Sequence, residues 1–291
     1  MYAVKTEGLT KYYGDVCGIK NIDLCVEQGD FFGFIGPNGA GKSTTIRTLL
    51  GFISQTAGKA EILGMDTLSQ RTEILKNVGY LPSEASFYNG MRVRDIIKLS
   101  ASLRKLDCEK EAKILCKRLE LDTDKKVNEL SLGNRKKVGI VCALQHKPSL
   151  YILDEATSGL DPLMQREFFD ILGERNRDGA TVFLSSHVLS EIGRYCKTAA
   201  IIRNGEILVC KSVSELSHTG VKRVTLRGVI GEIAIDGARD IRYEGDTAGF
   251  LYSGSAESLV KRLTTLKFDD ISITDPEPDE IFLHYYARED E

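Results

Sequence analysis

The chain has 291 residues, of which 42% are hydrophobic and 28% are charged, and its formal net charge at pH 7 is −3. This composition suits one large or two smaller globular domains with a buried core. Because the charge is nearly balanced and there is no lysine or arginine tract, nothing indicates a nucleic-acid-binding surface, and we expect no nucleic acid among the partners.

The N-terminus lacks an apolar signal segment, and no stretch approaches the ~20 apolar residues needed to span a bilayer. Any transmembrane channel must therefore belong to another polypeptide. An odd, scattered set of cysteines without C-x-x-C spacing favours buried apolar thiols in a reducing compartment over a disulfide framework or a zinc site. These are Cys17, Cys25, Cys108, Cys116, Cys142, Cys196 and Cys210.

The first distinctive motif follows an apolar run, Phe31–Ile35, that predicts a buried strand. Glycines allow successive backbone N–H groups to turn towards a phosphate, a lysine reaches the terminal phosphates, and a hydroxyl can hold magnesium. Residues 44–50 have helical spacing, so a helix N-terminus would face the same anion. A plain glycine-rich turn is the alternative. The loop consists of Gly36, Pro37, Asn38, Gly39, Ala40, Gly41, Lys42 and Ser43.

From about residue 84 to residue 146 the apolar spacing becomes helical and predicts a helical subdomain. The apolar positions that carry the pattern are Val93, Ile96, Ile97, Leu99, Leu103, Ile114, Leu115 and Leu119. Near its end, residues 130–137 read Leu-Ser-Leu-Gly-Asn-Arg-Lys-Lys and open a helix that extends to about Gln145.

Two further strand patterns end in polar groups. Leu150–Asp154 is followed by Glu155, and Thr181–Ser186 ends at His187. Ligands bind at the carboxyl ends of strands in doubly wound sheets. This places Asp154 at the magnesium ion and Glu155 at the water that attacks the γ-phosphate. A core strand with two solvated acids, and a histidine without function at a strand end, are the alternatives.

In this order the motifs resemble the ATP-binding cassette of ABC transporters over roughly residues 1–217. The resemblance implies an α/β fold of the P-loop NTPase type, with a mixed sheet, flanking helices and a helical subdomain inserted at about residues 84–146. It also implies ATP hydrolysis with Mg²⁺. Two cassettes, as a homodimer or a pseudo-dimer with a second cassette, would close on ATP and drive a separate transmembrane permease subunit at the cytoplasmic face of the membrane. Stand-alone cassettes of ABC-2-type exporters are the group that it resembles.

The resemblance also assigns roles to single residues. Lys42, Glu155 and His187 match the catalytic groups: the phosphate-binding lysine, the carboxylate that polarises water, and the switch histidine. Ser43 and Asp154 match the metal-holding pair. Ser131 and Gly133 match the signature motif, which closes on the ATP of the opposite subunit. The implied nucleotide contacts are Tyr13, Gly36, Pro37, Asn38, Gly39, Ala40, Gly41, Lys42, Ser43, Thr44, Ser131, Gly133 and Asp161.

Several positions are open or depart from the family pattern. Tyr13 is similar to the aromatic residue that stacks on adenine, and Tyr12 competes with it. Ser83 stands where the family usually has a glutamine; Glu84 has the reach to contact magnesium through water, so we treat it as a candidate metal contact. The signature reads Ser-Leu-Gly-Asn instead of Ser-Gly-Gly-Gln. Phe87 and Tyr88 would suit docking of the permease, with core anchoring as the alternative.

After about residue 218 the pattern changes, and residues 218–291 should form a small α/β accessory or regulatory domain. Short strands are predicted at residues 223–227, 233–235, 249–252 and 271–273, with a helix marked by Leu259, Leu263 and Leu266. A last helix is predicted beyond Pro276 and Pro278. Residues 279–286 resemble the C-terminal segments of stand-alone cassettes that partner separate export permeases.

Two other functions deserve comparison with the transporter hypothesis. A soluble cassette that acts on ribosomes or DNA ends usually carries two cassettes in one chain or a long coiled-coil insertion, and this chain has neither. A regulatory module without turnover is opposed by the joint presence of Glu155 and His187. We therefore expect an ATP-hydrolysing subunit of an exporter.

Overall fold

The computed structural model describes residues 1–217, 221–229 and 233–276. The chain divides into two compact units, Met1–Ser212 and Val213–Glu291. This division lies a few residues before the domain boundary that the sequence pattern predicts.

The first unit alternates strands and helices around two sheets. Its strands are β1 (Tyr2–Tyr13), β2 (Val16–Glu27), β3 (Phe31–Ile35), β4 (Ala57–Ile62), β5 (Met65–Asp66), β6 (Val78–Leu81), β7 (Leu150–Asp154), β8 (Thr181–Ser186), β9 (Thr198–Arg203) and β10 (Glu206–Ser212). Its helices are α1 (Lys42–Leu49), α2 (Arg71–Lys76), α3 (Val93–Leu103), α4 (Glu109–Arg118), α5 (Leu132–Leu144), α6 (Pro162–Arg177) and α7 (Leu189–Tyr195), with a 3₁₀ turn at Val127–Glu129.

The central sheet has the strand order β10-β9-β3-β8-β7-β6, and the other sheet has the order β2-β1-β4-β5. In the central sheet β9, β3, β8, β7 and β6 run parallel, and β10 pairs with β9 in the antiparallel direction. Every residue of β3, β7 and β8 is buried, as expected for parallel strands covered on both faces. The mixed sheet of the predicted P-loop fold is confirmed.

The register of the parallel strands aligns their carboxyl ends. Ile35 of β3 pairs with Ser186 of β8, and Asp154 of β7 pairs with the neighbouring Ser185. Leu81 of β6 pairs with Leu153 of β7. The loops that follow these four strands therefore leave the sheet along one edge.

The predicted helical subdomain is present as α3, α4 and α5. Val93, Ile96 and Ile97 are buried, as the apolar spacing predicts, whereas Leu103 and Ile114 are exposed by 76% and 45%. Two sets of ion pairs link α4 to α6: Arg118 contacts Glu167 and Glu174, and Glu111 contacts Arg175. The ion pairs with both glutamates raise the pKa of Arg118. These contacts connect the helical subdomain to the part of the unit that carries the central sheet.

The second unit has a four-stranded antiparallel sheet of order β12-β13-β11-β14. Its elements are α8 (Val213–Ser217), β11 (Val221–Arg227), β12 (Ala238–Glu244), β13 (Thr247–Ser253), α9 (Ala256–Leu263) and β14 (Asp270–Thr274). Val224, Leu226, Phe250, Leu259 and Leu263 form the centre of its core. This agrees with the predicted small α/β domain.

One strand prediction in this unit is wrong. Ile233 and Ile235 are buried in the core, but residues 233–235 form a loop. The Ala238 N–H donates to the Ile235 carbonyl at 3.0 Å, and Gly237 adopts a positive φ of 87°, so the chain turns there. The strand begins after the turn, at the largely exposed edge strand β12. The helix predicted beyond Pro276 and the segment 279–286 lie outside the described residues.

The cysteines are only partly buried, which corrects one expectation. Cys108, Cys116 and Cys196 are buried and Cys142 is half-buried, but Cys17, Cys25 and Cys210 are exposed, and all seven are free thiols. Burial raises the pKa of Cys116 to about 11 and that of Cys142 to about 12. These two thiols therefore remain protonated at neutral pH.

A search of the three described ranges finds no helix with the length and apolar character that crossing a bilayer requires.

The imidazole of His146 makes stability depend on pH. Its Nε2 lies 3.2 Å from the Val78 carbonyl, while its Nδ1 is buried without a partner. Burial, followed by the charge of Arg104, lowers the pKa of His146 from 6.5 to about 4. The unfolded chain therefore binds a proton more tightly than the folded chain, and acid favours unfolding across this interval.

We predict that the wild-type chain loses unfolding free energy relative to a His146→Gln variant as the pH falls from 6.5 to about 4. Glutamine keeps an N–H donor for the Val78 carbonyl but has no group that titrates in this range. Urea unfolding of both proteins at several pH values measures the difference. A difference that stays constant with pH would contradict the prediction.

Candidate functional site

The aligned strand ends bring the sequence motifs together. The glycine-rich loop follows β3, Glu155 follows β7, and His187 follows β8. Because β8 lies between β3 and β7, its end residues face both neighbouring loops. The sheet register therefore brings the glycine-rich loop together with Glu155 and His187, which follow it by more than a hundred positions in sequence.

Glycine is required in this loop by close packing and by backbone conformation. A Cβ on Gly36 would lie 2.5 Å from the carbonyl oxygen of Ile202 on β9, which is far inside van der Waals contact. Gly39 and Gly41 have φ values of 83° and 107°, a region that side chains disfavour. Gly41 is the N-cap residue of α1, so the helix begins directly at the loop.

Lys42 lies across this loop and is buried. Its Nζ donates hydrogen bonds to the carbonyls of Gly36 at 2.6 Å and Pro37 at 3.1 Å. The same ammonium forms an ion pair with Glu155 Oε1 at 3.1 Å. Among the described residues Oε1 accepts no hydrogen bond, so the contact is described as an ion pair.

Glu155 joins the lysine to the histidine. Its Oε2 lies 2.6 Å from His187 Nδ1, and its side chain is only 16% exposed. Its backbone has a φ of 49°, which costs about 1–3 kcal/mol for a residue other than glycine. A hydrogen bond from its N–H to the Ser185 carbonyl at 3.0 Å helps to hold this conformation. The strained backbone turns the carboxylate towards both Lys42 and His187.

Asp154, one residue earlier, links two hydroxyl groups. Ser43 Oγ donates to its Oδ2 at 2.6 Å, and Ser185 Oγ donates to its Oδ1 at 3.0 Å. Asp154 is 1% exposed. The Ser43 hydroxyl and the Asp154 carboxylate are hard oxygen donors of the type that Mg²⁺ prefers. Within the described residues no cluster of three or more His, Cys, Asp or Glu side chains could hold a metal ion, so a metal here would need oxygens from a ligand as well.

Of the two candidate tyrosines, Tyr13 lies beside the helix that follows the loop. A Cβ on Gly18 would lie 2.9 Å from the Tyr13 ring and 3.2 Å from the Thr44 methyl group, so the ring and Thr44 approach the same glycine. Tyr13 is 48% exposed. The hydroxyl of Tyr12 is instead engaged by Cys17, which raises its pKa. This geometry favours Tyr13 as a platform for a base.

The signature residues form a second cluster with the loop that follows Glu155. Ser131 is the N-cap residue of α5, and its Oγ accepts a hydrogen bond from Asn134 N–H at 3.3 Å. Gly133 packs so closely on Gly159 that a Cβ would lie 2.5 Å from its carbonyl oxygen. Asp161 caps α6 by accepting a hydrogen bond from Met164 N–H at 3.0 Å. The carboxylate of Asp161 therefore already has a structural task.

The loop after β6 is held by Lys136 on α5, a residue whose role the sequence did not reveal. Ser83 is half-buried and Glu84 is exposed. The Lys136 Nζ on α5 donates to the carbonyls of Ser83 at 2.8 Å and Pro82 at 3.3 Å. Lys136 is 4% exposed, and burial lowers its pKa to about 8 although Asp154, Glu155 and Glu84 oppose the shift. In the sequence, the one sign of this role is a lysine next to the apolar residues 138–144 that α5 buries.

We predict that Gly133→Ala destabilises the first unit, because the new methyl group would force the backbones of α5 and the 156–161 loop apart. Overpacking of this kind costs about 1–3 kcal/mol, which should lower the melting temperature by several degrees. Gly173→Ala in α6 is the matched control, since its Cβ would meet only Arg177 at 3.6 Å. Scanning calorimetry that finds equal melting temperatures for both variants would contradict this packing.

Comparison with known proteins gives a consistent result. The "ABC transporter" family model matches residues 19–158, and a model described as "AAA domain, putative AbiEii toxin, Type IV TA system" matches residues 126–192. The bacitracin transport ATP-binding protein BcrA of Bacillus licheniformis is 39% identical over 70% of this chain and 68% of its own length. The uncharacterised ABC transporter ATP-binding protein MJ1023 of Methanocaldococcus jannaschii is 36% identical over 74% and 82% of the two chains. The probable multidrug ABC transporter ATP-binding protein YbhF of Escherichia coli is 29% identical over 73% of this chain but only 38% of its own.

Solved structures agree on the fold. The ATP-binding subunit of an ABC transporter superposes with a TM-score of 0.70 and 27% identity, covering 74% of this chain and 91% of its own. A dimeric cassette bound to ADP and phosphate gives a TM-score of 0.64 at 24% identity, covering 72% and 98%. In this family, stand-alone ATP-binding subunits work with a separate membrane permease and form dimers. The chain therefore belongs to the ABC transporter family as a nucleotide-binding, ATP-hydrolysing cassette.

Proposed function

We propose that this chain is the ATP-hydrolysing subunit of an exporter, in which ATP closes two cassettes on each other and thereby drives a separate permease. The observation that carries the proposal is the contact of one carboxylate, Glu155, with both Lys42 and His187. Phosphoryl transfer depends on positioning and on charge stabilisation. This arrangement places a cation for the phosphates and a carboxylate for the attacking water at the carboxyl ends of parallel strands in the central sheet.

Each group then has a chemical task. Lys42 contacts the terminal phosphates and stabilises the charge that develops on them. Glu155 accepts a hydrogen bond from the attacking water and so orients a lone pair of the water towards the γ-phosphorus. As the water attacks, the bond between the γ-phosphorus and the bridging oxygen breaks, and ADP leaves with that oxygen. His187, half exposed at the end of β8, steadies the carboxylate and reaches the γ-phosphate. The half-exposed position leaves it free to follow the nucleotide state.

The metal proposed for this site is Mg²⁺, with Ser43 and Asp154 as its protein contacts. Magnesium is usually held by one or two carboxylates together with substrate phosphates and water, which matches a buried hydroxyl–carboxylate pair 2.6 Å apart. When bound, the ion would neutralise phosphate charge. Glu84 remains a candidate for a water-mediated contact, and its exposure leaves its carboxylate free to move.

Dimerisation is proposed because the signature cluster is separate from the phosphate loop. Leu132 and Gly133, beside Ser131, pack against Gly159 of the 156–161 loop. Lys42 and Ser43 instead contact Glu155 and Asp154. A helix N-terminus such as that of α5 can bind an anion from another molecule. Leu132 and Leu163, which flank this region, are 67% and 75% exposed, and they provide apolar area for a second copy to cover.

The contact with the permease is proposed at the loop after β6, on the cytoplasmic face of the membrane. Tyr88 is 74% exposed. Phe87 instead lies near α5, within about 4.0 Å of a Cβ built on Gly139, so it acts as an anchor for the loop. Export as the direction of transport is supported by the similarity to a bacitracin transport protein and a probable multidrug ABC transporter protein. Residues 218–291 would stabilise or regulate the dimer.

Co-purification tests this function. The native chain is isolated from gently solubilised membranes and from cytosol, and its partners are identified by mass spectrometry. We expect a polytopic membrane protein in stoichiometric amount. Ribosomes, DNA-associated proteins or a purely cytosolic homodimer would contradict the transport function.

We predict that Glu155→Gln lowers the ATP turnover rate by about a hundredfold or more, since the amide cannot act as a base, while ATP still binds. Glu73→Gln is the control, because this carboxylate is exposed and, among the described residues, pairs with Lys76 alone on the surface of α2. Phosphate release measured at saturating ATP distinguishes them. Wild-type turnover in the Glu155 variant would remove its assigned role.

We also predict that Tyr13→Ala weakens ATP binding by about tenfold, which is the order expected for one lost base–aromatic stack. Tyr12→Ala should leave the affinity nearly unchanged, because it is the Tyr13 ring that approaches Thr44 at the start of α1. Titration calorimetry with ATP on the Glu155→Gln background avoids turnover. The reverse order of effects would assign the adenine contact to Tyr12.

A further inference from the structure

We infer that Lys136 is a positioning residue for ATP hydrolysis, which holds the 82–84 loop against α5 and so compensates for the serine at position 83. This inference deepens the proposed function and rests on it. It concerns how the loop after β6 is placed relative to Asp154, Glu155 and the signature helix.

The contact joins two elements that both border the site. β6 pairs with β7, with Leu81 opposite Leu153, so the 82–84 loop leaves the sheet next to Asp154. Lys136 lies on α5, one turn after Ser131 and Gly133. Its Nζ binds the carbonyls of Ser83 and Pro82, so the loop and the start of α5 are held by one side chain.

Burial of Lys136 fixes the position of the 82–84 loop. An ammonium group removed from water is costly unless its donors are satisfied. Lys136 is 4% exposed, and in the described part of the chain no carboxylate forms an ion pair with it within 4 Å. Two of its three N–H donors are accounted for by the loop carbonyls. Moving the loop away would leave a buried cation unsatisfied, so the loop is held in one place.

The charge of Lys136 also interacts with carboxylates of the candidate site. Asp154, Glu155 and Glu84 each favour its charged form against the effect of burial, which places its ammonium within electrostatic range of all three. A glutamine at position 83 could reach the site with its side chain, whereas the serine hydroxyl lies two bonds closer to the backbone. Lys136 therefore places the loop through its backbone, where a longer side chain at position 83 would act directly.

The chain provides a matched control in the adjacent residue. Lys137 is also buried on α5, at 8% exposed. Among the described residues it forms no hydrogen bond or ion pair with the 82–84 loop. Replacing either lysine by methionine removes one buried charge from the same helix, but only the Lys136 variant releases the loop.

The experiment compares Lys136→Met, Lys137→Met and Lys136→Arg in the full-length chain. ATP affinity, turnover and the Mg²⁺ concentration for half-maximal turnover are measured for each. We expect Lys136→Met to lower turnover by about tenfold or more and to raise the Mg²⁺ requirement, as is usual when a residue that supports the metal contacts is lost. ATP affinity should change little, because Lys42 and Tyr13 are untouched. Lys136→Arg should recover turnover, because its guanidinium can donate to both carbonyls.

Lys136→Met that matches Lys137→Met in turnover and in Mg²⁺ requirement would overturn the inference. If Lys136→Met does not fold, Lys136→Gln decides, because it keeps a donor but loses the charge; an unchanged Mg²⁺ requirement in that variant would equally overturn it. A wild-type chain that neither binds nor hydrolyses ATP would defeat the proposed function, and the inference with it. Normal wild-type turnover together with unaffected Lys136 variants would defeat the inference alone.

Discussion

The parallel register of β3, β8 and β7 is the constraint on which the site depends. It places the phosphate loop, His187 and Glu155 at consecutive positions along one sheet edge. Glu155 can then meet Lys42 on one side and His187 on the other, with separations of 3.1 Å and 2.6 Å. A shift of one residue in any of these strands would exchange inward-facing and outward-facing side chains, and the carboxylate would lose both partners.

The same edge also connects residues that are far apart in sequence. The hydroxyls of Ser43 and Ser185 both donate hydrogen bonds to Asp154. The Ser185 carbonyl also accepts a hydrogen bond from the backbone N–H of Glu155. The loop after β6 leaves the sheet beside them and is tied to α5 by Lys136. The phosphate loop and the signature helix are therefore connected by a continuous series of contacts through the sheet edge and one buried side chain.

Most of the site could be predicted from sequence because its chemistry is local. The loop around Gly36–Lys42 and the run that ends in Asp154 and Glu155 each combine a strand pattern with a fixed set of polar residues. Lys136 could not be found in this way, since its role comes from a carbonyl contact across more than fifty residues. The strand expected at residues 233–235 failed because an apolar pair was taken as a strand, whereas the turn at Gly237 delays pairing to a largely polar edge strand.

The central claim is that a complete ATP site contains residues from two copies of this chain. It can be tested by mixing two inactive variants, Lys42→Ala and Ser131→Arg, and measuring ATP hydrolysis. If Ser131 serves the nucleotide of the opposite copy, a mixed dimer contains one site with both Lys42 and Ser131 intact, and the mixture should recover activity that neither variant has alone. Mixed dimers that form, as verified by differently tagged copies, but remain inactive would contradict the account.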